Sequence, residues 1–268
     1  MEWFETLLLG KVALFALVLG RVGALIATSP LLQLKTIPHR VKALLAVALA
    51  LLITPLQPVA TYTSPWDLIN FANLLLNEVL VGVFLGLGIQ VLLGGVQVAG
   101  QLISQLSGMS LAEISSPTFS GGSDVFSELI QYTTLALFVI LGGHRLVIEA
   151  LLDTFLWAPP GQALYGQSYT EVMLGLLGQS FQLGIRAAAP MMIALLLATL
   201  VLGLVSRTLP QINVIAVGFG LNSLLTIGGL MICTGLMAWT FQEPIAGALE
   251  ALTSAVAHSA ANTLPPSD

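Results

Sequence analysis

Apolar residues run along this chain in long blocks, and the few polar and charged positions mark where the blocks break. A helix needs about 20 predominantly apolar residues to cross the hydrocarbon core of a bilayer. Six segments approach that standard. Residues 6–29 form the first, interrupted by Lys11 and Arg21. Residues 43–60 form the second, shortened by Pro55 and Pro58, which cannot sit inside a regular helix without loss of a hydrogen bond. Residues 68–104 form a third that exceeds a simple span. Residues 125–157 form a fourth, broken at Gly142-Gly143-His144-Arg145. Residues 170–206 form a fifth, with Pro190 inside it, and residues 212–241 a sixth without a charge. An amphipathic tail is expected over 243–260, and 261–268 (ending TLPPSD) is expected to lack structure.

Composition agrees with this pattern. Hydrophobic residues make up 56% of the 268 and charged residues 8%, against about 25% charged in a soluble domain. So few polar side chains cannot cover a globule in water. The expectation is an all-α integral membrane protein with a single membrane domain. The N-terminus MEWFETLLLGK has acidic rather than basic residues before its apolar run, so residues 1–30 do not read as a signal peptide.

The loop QLKTIPHRVK carries Lys35, Arg40 and Lys42 and should face the cytoplasm. Counting from it places both termini, 54–67 and 157–171 outside, and 104–127 and Arg207 inside.

A charge facing lipid at mid-bilayer costs about 2.5–3.5 kcal/mol or more. Arg21, Glu78, Arg145, Glu149 and Arg186 are therefore expected to face protein or water. Gly82 and Gly86 have the GxxxG spacing that lets helices approach closely, followed by Gly88, Gly94, Gly95 and Gly100. They pack either spans of this chain or other subunits.

Candidate chemistry is sparse. His39, His144 and His258 lack ligand spacing, and the lone Cys233 can form neither an internal disulfide nor a zinc site. There is no nucleophile elbow or phosphate-cradling glycine loop. The reading excludes a cofactor, nucleic-acid binding and an enzymatic role. Arg145, Glu149 and Asp153 recur every four residues on one helix face. They are either an intramembrane ion relay or a structural pair facing a partner or water. In SRTLPQINV, Arg207, Pro210, Gln211 and Asn213 form a corner between two apolar runs. It is either an anchored turn or a corner built into an assembly interface. The segment over 104–127 is rich in Ser and Gly, too long for a simple connection, and holds Met109, Ile114, Pro117, Phe119, Gly121 and Gly122. Its composition fits a surface loop or a movable stopper in a pore.

Three stretches carry a resemblance: AGQLISQLSGMSLAEISSP, GGHRLVIEALLDTF, and AAPMMIALLLATLVLGLVSRTLPQINVIAVGF. Together they resemble the FliR family of flagellar export-gate proteins and its injectisome relatives. The resemblance implies a structural and gating subunit of the type III protein export channel in the bacterial inner membrane, at the flagellar basal body or injectisome base. It implies kinked helical hairpins resembling a fusion of two other gate subunits, with 1–157 FliP-like and 158–260 FliQ-like. It implies FliP-like and FliQ-like membrane subunits as partners, then FlhB-like and FlhA-like export proteins, with unfolded exported proteins as transient substrates and membrane lipid around the complex. By position, 106–123 would be the loop that plugs the closed pore, with Met109, Ile114, Pro117, Phe119 and the Gly121-Gly122 hinge as its working residues. That placement, inside a raised pore, departs from the cytoplasmic placement by charge. The competing class is a secondary transporter of a small solute, which also uses interrupted helices and buried charges; a scaffold without a gating loop is a third reading.

Overall fold

The structure is a computed structural model that describes residues 2–32, 37–57, 68–108, 125–163, 166–209, 211 and 214–261. Among these the chain is all helical. The elements are α1 (Glu2–Thr28), α2 (His39–Ile53), a 3-10 turn (Thr54–Leu56), α3 (Leu68–Ser107), α4 (Val125–Ile140), α5 (Gly143–Trp157), α6 (Gln167–Thr208) and α7 (Val214–Ala261).

Local chemistry sets most of the boundaries. α1 stops before Ser29, the residue preceding Pro30, where a proline disfavours helical backbone. α2 starts directly after Pro38 and gives way at Pro55 to the 3-10 turn. α3 ends at Gly108, whose φ of +82° is a left-handed conformation natural to glycine. Leu141 and Gly142, the latter at φ +77°, separate α4 from α5, so the expected break in the fourth segment is two residues wide. α6 ends at Thr208, two residues before Pro210.

One expectation is corrected. The sixth span and the amphipathic tail are a single 48-residue helix, α7, which continues through Pro244. A proline inside a helix removes one hydrogen bond and crowds the preceding turn. Here buried side chains hold both flanks, Met237 and Phe241 before it and Ala248 and Leu252 after it.

Among the described residues, four helices are long and apolar enough to cross a membrane, and the interrupted pair α4–α5 would make a fifth. The protein is an all-α membrane protein. α3, α6 and α7 have 40, 42 and 48 residues. At 1.5 Å per residue each is about 60–70 Å long, twice the roughly 30 Å of hydrocarbon. Threonine hydroxyls inside α4 and α7 donate to the carbonyl four residues back: Thr134 to Ile130, Thr226 to Asn222 and Thr234 to Leu230, each at 2.7 Å. Such back-bonding satisfies a polar group without water.

The chain forms two compact units. The first comprises residues 1–90, 144–176 and 246–268, the second 91–143 and 177–245. In the first, α1 packs on α2 and on the start of α3, around Leu17, Val18, Val22, Val81 and Leu85. In the second, the rest of α3 packs with α4, α6 and α7 around Leu92, Val96, Ile130, Leu183 and Leu195. Of the most apolar window of α3, 61% is buried, against 17% for α2 and for α6. So α3 is a core helix, while α2 and α6 present apolar surface outward.

Glycines set the closest approaches within both units. A Cβ on Gly82 would overlap the Arg21 carbonyl oxygen and stand 2.8 Å from the Ala24 Cβ; one on Gly86 would overlap the Thr28 hydroxyl. A Cβ on Gly95 would overlap the Ser180 carbonyl, and one on Gly184 the Gly95 carbonyl. Five of the six glycines singled out from the sequence, Gly82, Gly86, Gly88, Gly95 and Gly100, are therefore occupied by this chain's own packing, and Gly94 is the exception.

Candidate functional site

The first unit holds a fully buried ion pair. Arg21 on α1 donates from Nε to Glu78 Oε2 on α3 at 2.6 Å, and both side chains have no solvent exposure. Each remaining polar atom nearby is matched. Arg21 Nη1 donates to the Thr154 carbonyl at 3.0 Å and to the Thr154 hydroxyl oxygen at 3.3 Å. Nη2 donates to the Ala158 carbonyl at 3.0 Å. Those carbonyls lie at the C-terminal end of α5, where a helix carries partial negative charge, and the Thr154 carbonyl also accepts the Ala158 N–H at 2.9 Å. The guanidinium also lies over the Phe155 ring, 4.3 Å from its centroid, a favourable cation–π distance. On the other side, Glu78 Oε1 accepts the Gly161 backbone N–H at 2.8 Å. Gly161 has φ +85°, so glycine is the residue that fits this turn without strain.

The pair thus joins α1, α3, the end of α5 and the 158–163 turn. A second polar contact lies in the same unit: the Tyr169 and Ser259 hydroxyls are 3.1 Å apart, and Tyr169 meets Phe84 edge-on at 4.4 Å. The sequence places Arg21 and Glu78 against protein or water; it carries no signal that they meet, because they are 57 residues apart with no shared period. Gly161 lies in the Pro159–Gly161 region that follows GGHRLVIEALLDTF and shares in the family resemblance, but nothing in the sequence ties it to Glu78, and Tyr169 carries no signal beyond residue type.

The residues singled out from the sequence divide into three groups. The pore-plug candidates Met109, Ile114, Pro117, Phe119, Gly121 and Gly122 lie outside the described residues, as do Pro210 and Asn213. The segment that holds the plug candidates is bounded by Gly108 and Val125, both in the second unit. Arg145 and Glu149 do form the i,i+4 pair, at 2.9 Å, but with side chains 79% and 48% exposed. Asp153, one turn on, is exposed too. Arg207 and Gln211 are exposed at the α6 end, where a cation complements the helix dipole. Arg186 is exposed on α6 and has no ion pair among the described residues.

No group of three or more His, Cys, Asp and Glu side chains with metal-binding geometry occurs among the described residues.

Comparison with known proteins adds the family. The model of the bacterial export proteins, family 1, matches residues 12–248. The flagellar biosynthetic protein FliR of Caulobacter vibrioides is 28% identical over 232 residues, which are 86% of this chain and 92% of that protein. FliR of Pectobacterium carotovorum is 31% identical over 209 residues, 78% of each chain. FliR of Escherichia coli is 30% identical over 213 residues, again 78% of each. With its helices long enough to cross a membrane and this match along nearly its whole length, the chain belongs to the family 1 bacterial export proteins, the family of FliR.

Proposed function

We propose that this chain is a structural and gating subunit of the flagellar protein export channel in the bacterial inner membrane, at the base of the flagellum. Its role is architectural rather than catalytic. Residues 1–157 take a FliP-like part and 158–260 a FliQ-like part. One copy closes a helical ring of FliP-like and FliQ-like subunits, which FlhB-like and FlhA-like export proteins then join. Unfolded exported proteins are the transient substrates.

The gate is the 106–123 segment. Met109, Ile114 and Phe119 fill the lumen and exclude water and ions, with Pro117 shaping the loop. Arrival of a substrate displaces the segment, and Gly121 and Gly122 absorb the backbone change. The energy for transport comes from other subunits.

The observation that carries this reading is the family match over residues 12–248, joined to helices about twice as long as the bilayer is thick. Long helices with outward apolar faces, such as α6, support packing on other proteins. The flagellar system is preferred to an injectisome because the relatives matched are named flagellar. The interruption at Gly142 and the buried Arg21–Glu78 pair are the features that a small-solute transporter would share.

Mild-detergent purification of the tagged chain from its native cell separates the two. The export reading expects small FliP-like and FliQ-like membrane proteins to come with it in stable amounts. A lone, monodisperse chain that binds a small solute would overturn it.

A further inference from the structure

α2 has two unlike faces and a basic end. Ala46, Ala50 and Ile53 are buried on the side where α2 packs on α1. The opposite side begins at Arg40 and runs through Leu44, Val47 and Leu51, spaced i, i+4, i+7 and i+11, which is one line along a helix. Arg40 is exposed, and Leu44, Val47 and Leu51 are 72%, 38% and 60% exposed. His39 beside Arg40 is exposed and Lys42 half-buried. Neither Arg40 nor Lys42 has an ion pair among the described residues. The positive charge is concentrated here: Lys35, Arg40 and Lys42 are three of the eight Lys and Arg residues, and no Asp or Glu occurs over residues 6–66, although the whole chain carries a net charge of −5.

We propose that the basic end of α2 binds an anionic phospholipid, whose phosphate pairs with Arg40 and Lys42 and whose acyl chain lies along Leu44, Val47 and Leu51. Such a site requires only that the chain lies in a membrane, whatever it exports.

Length, side-chain type and charge each point to this occupant. From Arg40 to Leu51 the helix rises about 16 Å, and the hydrocarbon of one leaflet is about 15 Å deep. A phosphate held at Arg40 therefore sets one acyl chain against the whole line. Long basic side chains reach a headgroup while their stems stay on apolar surface. A facing protein helix fits less well. Helices meet in membranes through small residues and hydrogen bonds between side chains. The small pair Ala46 and Ala50 is already turned inward, the outward line is Leu and Val, and residues 43–53 hold no polar side chain. Flexible acyl chains suit such a surface. Charge selects the lipid class: a zwitterionic headgroup brings its own ammonium to a cluster that has no carboxylate, whereas an anionic headgroup is favoured by about fivefold for each Lys or Arg near the surface.

The test uses the full chain, purified in mild detergent with the proteins that accompany it and returned to vesicles of phosphatidylcholine with a minor share of phosphatidylglycerol. A trace of phosphatidylglycerol carrying a diazirine in its acyl chain, or the matching phosphatidylcholine, is photolysed, and the labelled residues are found by mass spectrometry. The phosphatidylglycerol probe should label 44–51 about 25-fold more than the phosphatidylcholine probe, the product of two charges. High salt should remove most of that preference. R40Q with K42Q should bring the two probes to parity, and R40K with K42R should keep them apart. Should the glutamine variant fail to fold, the salt series on the unaltered chain decides. Equal labelling by the two probes in the unaltered chain would overturn the site and leave ordinary surrounding lipid. Labelling of 44–51 by neither probe would mean that protein covers this face and would overturn it as well. A preference that survives high salt, or that survives R40Q with K42Q, would overturn the assignment to Arg40 and Lys42.

Discussion

Arg21 Nε and Glu78 Oε2 meet at 2.6 Å in a site closed to solvent, and every neighbouring acceptor and donor is used. Two ions removed from water are costly unless their geometry is good and their other hydrogen bonds are satisfied. Here both conditions hold. The pair fixes α1 against α3 and against the end of α5, and so defines how the first unit closes.

Removing one partner leaves an uncompensated buried charge, which costs about 3–5 kcal/mol. R21A and E78A should each lower the amount of folded chain in the membrane severely, read as loss of protease-resistant protein. Removal of both charges together, R21M with E78L, should be less damaging than either single change. A single variant that behaves like the unaltered chain would contradict this role.

Glycine contacts give a second prediction. G82L forces a side chain into the Arg21 carbonyl, and G95L into the Ser180 carbonyl. Overpacking a tight interface costs about 1–3 kcal/mol, and backbone on the far side of the contact leaves little room to adjust. Both variants should show a lower thermal midpoint in detergent. G94A, where an added Cβ meets nothing within 4 Å, should stay close to the unaltered chain in the same measurement.

Arg145 and Glu149 give the opposite expectation. An exposed i,i+4 pair contributes about 0.3–0.5 kcal/mol. R145Q and E149Q should therefore leave the thermal midpoint of the detergent-solubilised chain nearly unchanged. A strong stability effect would mean that the pair is covered by more than the chain described here.

Much of the fold was legible because local chemistry controls it. The paired Gly142 and Gly143 announced the break between α4 and α5, and Pro210 announced the end of α6. Arg21 and Glu78, charged residues within apolar runs, were expected to avoid lipid, and both are buried in protein. What could not be read was tertiary. Nothing local says that position 21 meets position 78, or that Gly161 donates to the same carboxylate. The continuity of α7 through Pro244 was missed for a related reason. A proline ends a helix by local rules, but buried side chains on both flanks override them. The plug candidates are a different case: their serine, glycine and isolated apolar residues fit both a loop and a stopper, and they lie outside the described residues.

The gating claim is tested most directly by deleting 115–122 from the full chain in its native cell and measuring ion leakage across the cell membrane with a potential-sensitive dye. The proposed plug predicts a depolarised membrane, with the deleted chain still incorporated among its partner subunits. An incorporated, deleted chain in cells that hold a normal membrane potential would contradict the gate and leave the protein as a scaffold of the export channel.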